Sequence, residues 1–152
     1  MSRFQQGQRV VVKPPFGIKE HGKIISIDKG LMTTTMEVSL DNGDSKKYPP
    51  GDLSIEELTP EEVVAEIKKV RSQVDKVAPQ LSGEMAKELP NYLRFLAEYQ
   101  ASNDKNGAAE ECRYVASRLE TQCKNGFVTK DWWENTRIGF EKIYWAMKDS
   151  PL

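Results

Sequence analysis

Leu58-Thr59-Pro60-Glu61-Glu62-Val63 decides how this chain is read. Upstream of it, apolar residues alternate in short runs broken by Gly and Pro. Downstream, they recur every three or four residues almost to the end. Alternation suits half-buried strands, whereas a 3.6-residue repeat suits amphipathic helices. The six residues are themselves a helix start: Thr59 stands in the N-cap place, Pro60 at the first helical position, and Glu61 and Glu62 at the positive end of the helix dipole. No Gly- or Ser-rich linker precedes them. A β module over residues 1–57 is therefore expected to run through a stiff junction into a helical module over residues 58–152.

Working outward toward the C-terminus, Val63, Ile67, Val70, Val74 and Val77 step 4-3-4-3 and predict one helix ending at Pro79. Ser82-Gly83-Glu84 opens a second, with Met85, Leu89, Tyr92, Leu93, Leu96 and Tyr99 as its apolar positions. Pro90 falls inside it and predicts a kink or two abutting helices. Residues 102–107 are a polar connection. A third helix runs from Ala108 to Cys123, and Asn125-Gly126 stops it. Thr129 caps the last helix, which carries Trp132, Trp133, Phe140, Ile143, Tyr144, Trp145 and Met147; so many aromatics cannot share one narrow stripe. Four stripes suffice for an antiparallel bundle of four helices, or five if Pro90 divides the second.

Working toward the N-terminus, Gly7-Gln8-Arg9-Val10-Val11-Val12 reads as a turn entering a strand. Lys23-Ile24-Ile25-Ser26-Ile27 is the next, and Met32–Leu40 a longer one with Met32, Thr34, Met36, Val38 and Leu40 on one face. Asp41-Asn42-Gly43-Asp44 is a hairpin turn. Lys46-Lys47-Tyr48 and the pair Leu53 and Ile55 follow. The pattern Gly7-x-x-Val10-x-Val12, Gly22-x-Ile24-x-x-Ile27, Leu40-Asp41-x-Gly43 and Tyr48…Leu53 resembles the SH3-like small β-barrels of KOW and Tudor type over residues 6–57. That resemblance implies a closed barrel, so the expected fold class is α+β: a small barrel followed by a helical bundle. Such barrels serve many functions, and the fold alone assigns none.

Charge is balanced on both sides of the boundary, with eight Lys/Arg against eight Asp/Glu in residues 1–57 and fourteen against fifteen thereafter. This argues against a non-specific nucleic-acid binder. No apolar run approaches the roughly 20 residues that span a bilayer, and the N-terminus lacks the apolar stretch of a secretory signal. Cys112 and Cys123 lie about three turns apart on one helix, roughly 16 Å, too far for a mutual disulfide. The cytoplasm is the expected compartment.

No phosphate-cradling Gly-rich loop, Cys/His metal spacing or Ser-centred nucleophile turn occurs, so no catalytic residue, cofactor or metal is assigned. The most binding-like stretch is Lys13–Lys23, where Lys13, Lys19 and Lys23 accompany Phe16 and His21, the only histidine. In KOW-type barrels the corresponding loop contacts RNA or protein: lysines would meet phosphates and Phe16 would stack on a base. The bland account makes Phe16 a plug for the barrel and the lysines merely solvated. Only Phe4, Phe16 and Tyr48 are available for a Tudor-style aromatic cage, too few for a methyl-lysine reader. Trp132 and Trp145 are the candidates for an interaction face on the last helix. The expected function is a non-enzymatic adaptor binding a macromolecule, protein ahead of RNA, with a homodimer also compatible and no membrane role. The alternative is a small enzyme or ligand carrier with a pocket where barrel meets bundle.

Overall fold

Val10 and Val12 are buried on one side of the first strand, β1 (Arg9–Val12), because alternate residues of a strand face opposite ways. The computed structural model describes residues 4–13 and 19–148. Phe16 lies outside the described residues. Next come β2 (Glu20–Lys29), β3 (Thr34–Leu40), β4 (Ser45–Tyr48) and β5 (Leu53–Ile55), all paired antiparallel in the order β4-β3-β2-β1-β5. β4 and β5 are the two edges, and no ladder joins them among the described residues. They are only four and three residues long and are separated by Pro49 and Pro50, which have no N–H to donate. The expected closed barrel is, in its backbone pairing, an open five-stranded antiparallel sheet.

Ile24, Val38, Met36, Leu40 and Leu53 join Val10 and Val12 in the core of this sheet, with Phe4, Ile27 and Tyr48 packed at its margin. Ile24 and Ile27 are three residues apart, which strict alternation would place on opposite faces. The pairing resolves this, since Ile24 faces Val38 and Ser26 faces Glu37, leaving Ile25 as an extra residue in a bulge. Gly22 sits where β2 and β3 approach most closely: a Cβ there would lie 2.5 Å from the Ser39 carbonyl oxygen. Met32, expected on the apolar face of a strand, stands outside β3 altogether, because the strand begins only at Thr34.

The second unit begins at Leu58 and holds four helices: α1 (Pro60–Val77), α2 (Gly83–Ala101), α3 (Lys105–Lys124) and α4 (Lys130–Met147). Thr59 caps α1 in a capping box: its hydroxyl accepts from the Glu62 N–H, and the Thr59 N–H donates to the Glu62 carboxylate at 3.0 Å. The 4-3-4-3 stripe is buried throughout. Pro90 does not divide α2, which is one continuous helix; the ring is exposed, while Leu89 and Leu93 on either side anchor the buried face. α3 starts earlier than its apolar stripe, because Asp104 caps it by accepting from the Gly107 N–H at 3.0 Å.

Cross-helix contacts fix an antiparallel ring. Trp132 donates its indole N–H to the Gln73 carbonyl at 3.1 Å, and Lys142 lies 3.9 Å from Glu66, so α4 runs against α1. Cys112 pairs with the Phe140 carbonyl across α3 and α4, and Gln122 with Ser82 across α3 and α2. Gly139 lets α1 and α4 close up, since a Cβ there would meet Val70 at 2.6 Å. Trp133 and Phe140 are buried, whereas Trp132, Tyr144 and Trp145 are half-buried. No helix among the described residues is long and apolar enough to cross a membrane.

Two expectations follow from this packing. Gly22→Val should cost about 3 kcal/mol, because its obstacle is backbone rather than a movable side chain; amide-exchange protection at residues 36–40 is the readout, and unchanged protection would contradict the close approach. Burial also pushes the Cys112 thiol far above its usual range, and it is the thiolate that reacts. Alkylation of the native protein near neutral pH, followed by peptide mass spectrometry, should therefore label the half-buried Cys123 and spare Cys112; equal labelling would contradict the packing.

Candidate functional site

Residues on the face of the sheet opposite its core include Arg9 on β1, His21 and Lys23 on β2, and Ser39 on β3, by register. Asp41 follows β3 directly and Glu56 follows β5. The Glu56 N–H donates to the Arg9 carbonyl and the Asp41 N–H to the His21 carbonyl. These backbone bonds deliver two carboxylates to one guanidinium. Arg9 donates from Nη1 and Nη2 to the two Asp41 oxygens at 2.7 Å each, and from Nε and Nη2 to the two Glu56 oxygens at 3.3 Å each. Both of its hydrogen-bonding edges are thus occupied, in the fork geometry that suits carboxylates.

Arg9 is 2% exposed and Glu56 4%, whereas Asp41 is 29% exposed at the rim. Burial by itself would lower the Arg9 pKa; the hydrogen bonds and charges of Asp41 and Glu56 outweigh it and raise the pKa above its ordinary value. The guanidinium is permanently charged. His21 completes the group, its Nδ1 lying 2.6 Å from Glu56 Oε2. At that distance the two groups share a hydrogen bond, which His21 donates in the tautomer that carries its proton on Nδ1.

The basic loop is only partly assembled by this arrangement. His21 and Lys23 share one face of β2, Lys13 is exposed just after β1, and Lys19 is exposed just before β2. Sequence reasoning singled out His21 but missed Arg9, Asp41 and Glu56. Asp41 reads as a turn residue and Glu56 as a residue leading into a helix. The one available signal was Arg9 itself, which alternation places with Val11 on the face away from Val10 and Val12.

A second feature lies at the end of the β2–β3 hairpin. β4 pairs with β3 only as far as Met36, and β1 pairs with β2 only around residues 20–24. The pairs Asp28↔Thr35 and Lys29↔Thr34 therefore form a two-stranded arm with no neighbouring strand on either side among the described residues. With its loop, the arm reaches roughly 10 Å past the sheet at strand rise. The Gly30 N–H closes the loop by donating to the Thr33 carbonyl at 2.8 Å. Between them, Leu31 is 104% exposed and Met32 93%.

In the helical unit, Trp132 and Trp145 do not converge. They are thirteen residues apart on α4, which is about 20 Å of rise and about 140° around the helix axis. Trp132 is engaged with α1 through Gln73. Trp145 stacks edge-on with Tyr144 at 5.3 Å, and Lys148 lies over its ring at 4.9 Å. Between α3 and α4 runs an open groove of about 280 Å³, floored by Cys112, Ala116, Phe140 and Tyr144, with Arg113, Arg137 and Glu141 at its rim. No group of three or more His, Cys, Asp or Glu among the described residues could hold a metal ion. No family model, curated protein or solved structure matches the chain.

The ionic cluster yields a sharp expectation. Arg9→Met leaves Glu56 buried without a cation, which costs about 3–5 kcal/mol. His21→Gln keeps a donor for Glu56 at a half-exposed position and should cost under about 1 kcal/mol. Native-state amide exchange of β1–β3 reads both against the wild type. Equal losses would show that Arg9 does not bear the cluster.

Proposed function

We propose that this chain is a non-enzymatic, protein-binding module of the cytoplasm, in which the sheet unit presents a contact arm and the helical unit supplies further binding surface. The observation that carries the reading is the pair Leu31 and Met32, almost wholly exposed side by side at the end of the two-stranded arm. Single exposed apolar residues are ordinary on protein surfaces. Two adjacent ones on a projecting loop are different, because each forgoes roughly 1.5–3 kcal/mol that burial would return. A protein groove that accepted both would recover this energy at little conformational cost, since the loop is already closed by Gly30 and Thr33.

Balanced charge favours a protein over RNA as the partner. Lys13, Lys19, His21 and Lys23 lie at the opposite end of β2 from Leu31 and Met32 and would form a separate polar surface. The glycine and β-branched pattern of residues 7–53 supports the finer reading of the sheet as an SH3-like fold of KOW or Tudor type.

A photo-crosslinking amino acid placed at Leu31 tests the reading. It should give defined protein adducts under native conditions, while the same group at exposed Lys68 on α1 should not. Adducts no different at the two positions would overturn the arm as a contact surface. Loss of the adducts with rising salt, together with recovery of RNA in them, would reassign the partner to nucleic acid.

A further inference from the structure

We infer that Met32 is an oxidation-controlled release point for the arm: a peroxide converts its thioether to a sulfoxide, and the hold on the partner weakens. The inference rests on the arm being a protein-contact element. The chain has five methionines. Met36, Met85 and Met147 are 0%, 1% and 6% exposed, within the sheet core and the helical core, whereas Met32 is 93% exposed. Met1 lies outside the described residues. A thioether needs no deprotonation before it reacts, unlike a thiol, so access decides which methionine is oxidised. Burial withholds Met36, Met85 and Met147, and it withholds Cys112 while pushing that thiol's pKa far up. The arm does the reverse for Met32 and carries it out into water.

The reaction balances with hydrogen peroxide alone. The sulfur lone pair attacks one peroxide oxygen, the S–O bond forms as the O–O bond breaks, and the second oxygen leaves as water with the proton of the first. Sulfur is oxidised and the peroxide reduced. The fold does not register the change, because the loop is closed through the main chain, from the Gly30 N–H to the Thr33 carbonyl, and the Met32 side chain lies in solvent. The contact does register it. A sulfoxide oxygen carried into an apolar site gives up its water with no donor in exchange. Leu31 is inert to peroxide, so the contact is weakened rather than erased. Met36 shows the contrast: it sits four residues further along the chain, in the sheet core, where a sulfoxide would disrupt packing. Enzymatic reduction of the sulfoxide restores the thioether, so the change at Met32 is reversible.

The whole chain is treated with dilute hydrogen peroxide, the excess is destroyed with catalase, and peptide mass spectrometry reads each methionine. Met32 should oxidise about tenfold faster than Met36, Met85 or Met147, with amide-exchange protection of β2 and β3 unchanged. The same treatment is then applied to protein carrying the photo-crosslinking group at position 31, before it meets a native lysate. Oxidation should cut the adducts about tenfold, the cost of one polar group left unpaired in an apolar contact. Methionine sulfoxide reductase should bring them back. Met32→Leu keeps an apolar side chain without sulfur, so its adducts should survive peroxide. Met32→Gln, polar from the start, should give weak adducts with or without it.

Adducts that persist when Met32 is fully oxidised overturn the release and leave the arm standing as a contact surface. So does a Met32→Leu protein as sensitive to peroxide as the wild type, since the sensitive group then lies elsewhere. Met36 oxidising as fast as Met32 overturns the selectivity. An unoxidised protein that gives no adducts at all overturns the contact reading, and the release with it.

Discussion

The sheet unit depends on one guanidinium. Arg9 is held by Asp41, thirty-two positions away, and by Glu56, forty-seven positions away. Its anchors therefore come from the ends of β3 and β5, while Arg9 itself lies on the strand between β2 and β5. A buried arginine is unfavourable unless both edges of its fork are met, and a buried glutamate unless it has a cation. Each is tolerable only with the other in place. The cluster thus does more to specify which strands end beside which than to add net stability, because a well-packed apolar substitute can match a buried ion pair in energy.

The two units distribute polarity differently. The helical unit follows the ordinary rule, with its valine, leucine and aromatic stripes inside and its ion pairs on exposed faces, such as Arg113 with Glu110 and Lys124 with Glu120. Isolated surface pairs of that kind contribute little. The sheet unit partly inverts the rule, enclosing a permanent charge while holding a leucine and a methionine in water at the end of its longest hairpin. The buried charge specifies strand placement more than it adds stability, and the exposed pair adds nothing to the core. Both become intelligible if the sheet's rigidity supports an arm whose apolar end belongs against another molecule.

The helices were legible in the sequence because their signals are local. Thr59 and Thr129 cap helices with hydrogen bonds to residues three positions on, and the Val63–Val77 stripe needs only its own spacing. Pro90 misled in one respect: a proline on an exposed helix face removes one donor without parting the helix when the buried leucines around it hold. The strands were legible as segments, but their closure was not, since pairing between edges is a long-range fact. Met32 was misplaced because alternation alone cannot say where a hairpin stops pairing. The ionic cluster was hidden for a similar reason: Arg9, Asp41 and Glu56 each look ordinary in their own neighbourhoods and meet only through register.

The bulge at Ile25 also governs how the length of this chain can vary. Elsewhere in β2, losing one residue would turn the rest of the strand over and expose the side chains that fill the core. At Ile25 the arithmetic differs. Removing it leaves Ile24, Ser26 and Ile27 in strict alternation and opposite the same three partners, Val38, Glu37 and Met36. The strand would lose local twist but keep its faces. The bulge at Ile25 is thus where β2 can lose a single residue with the hairpin still in phase, changing the set of the arm rather than the make-up of the core.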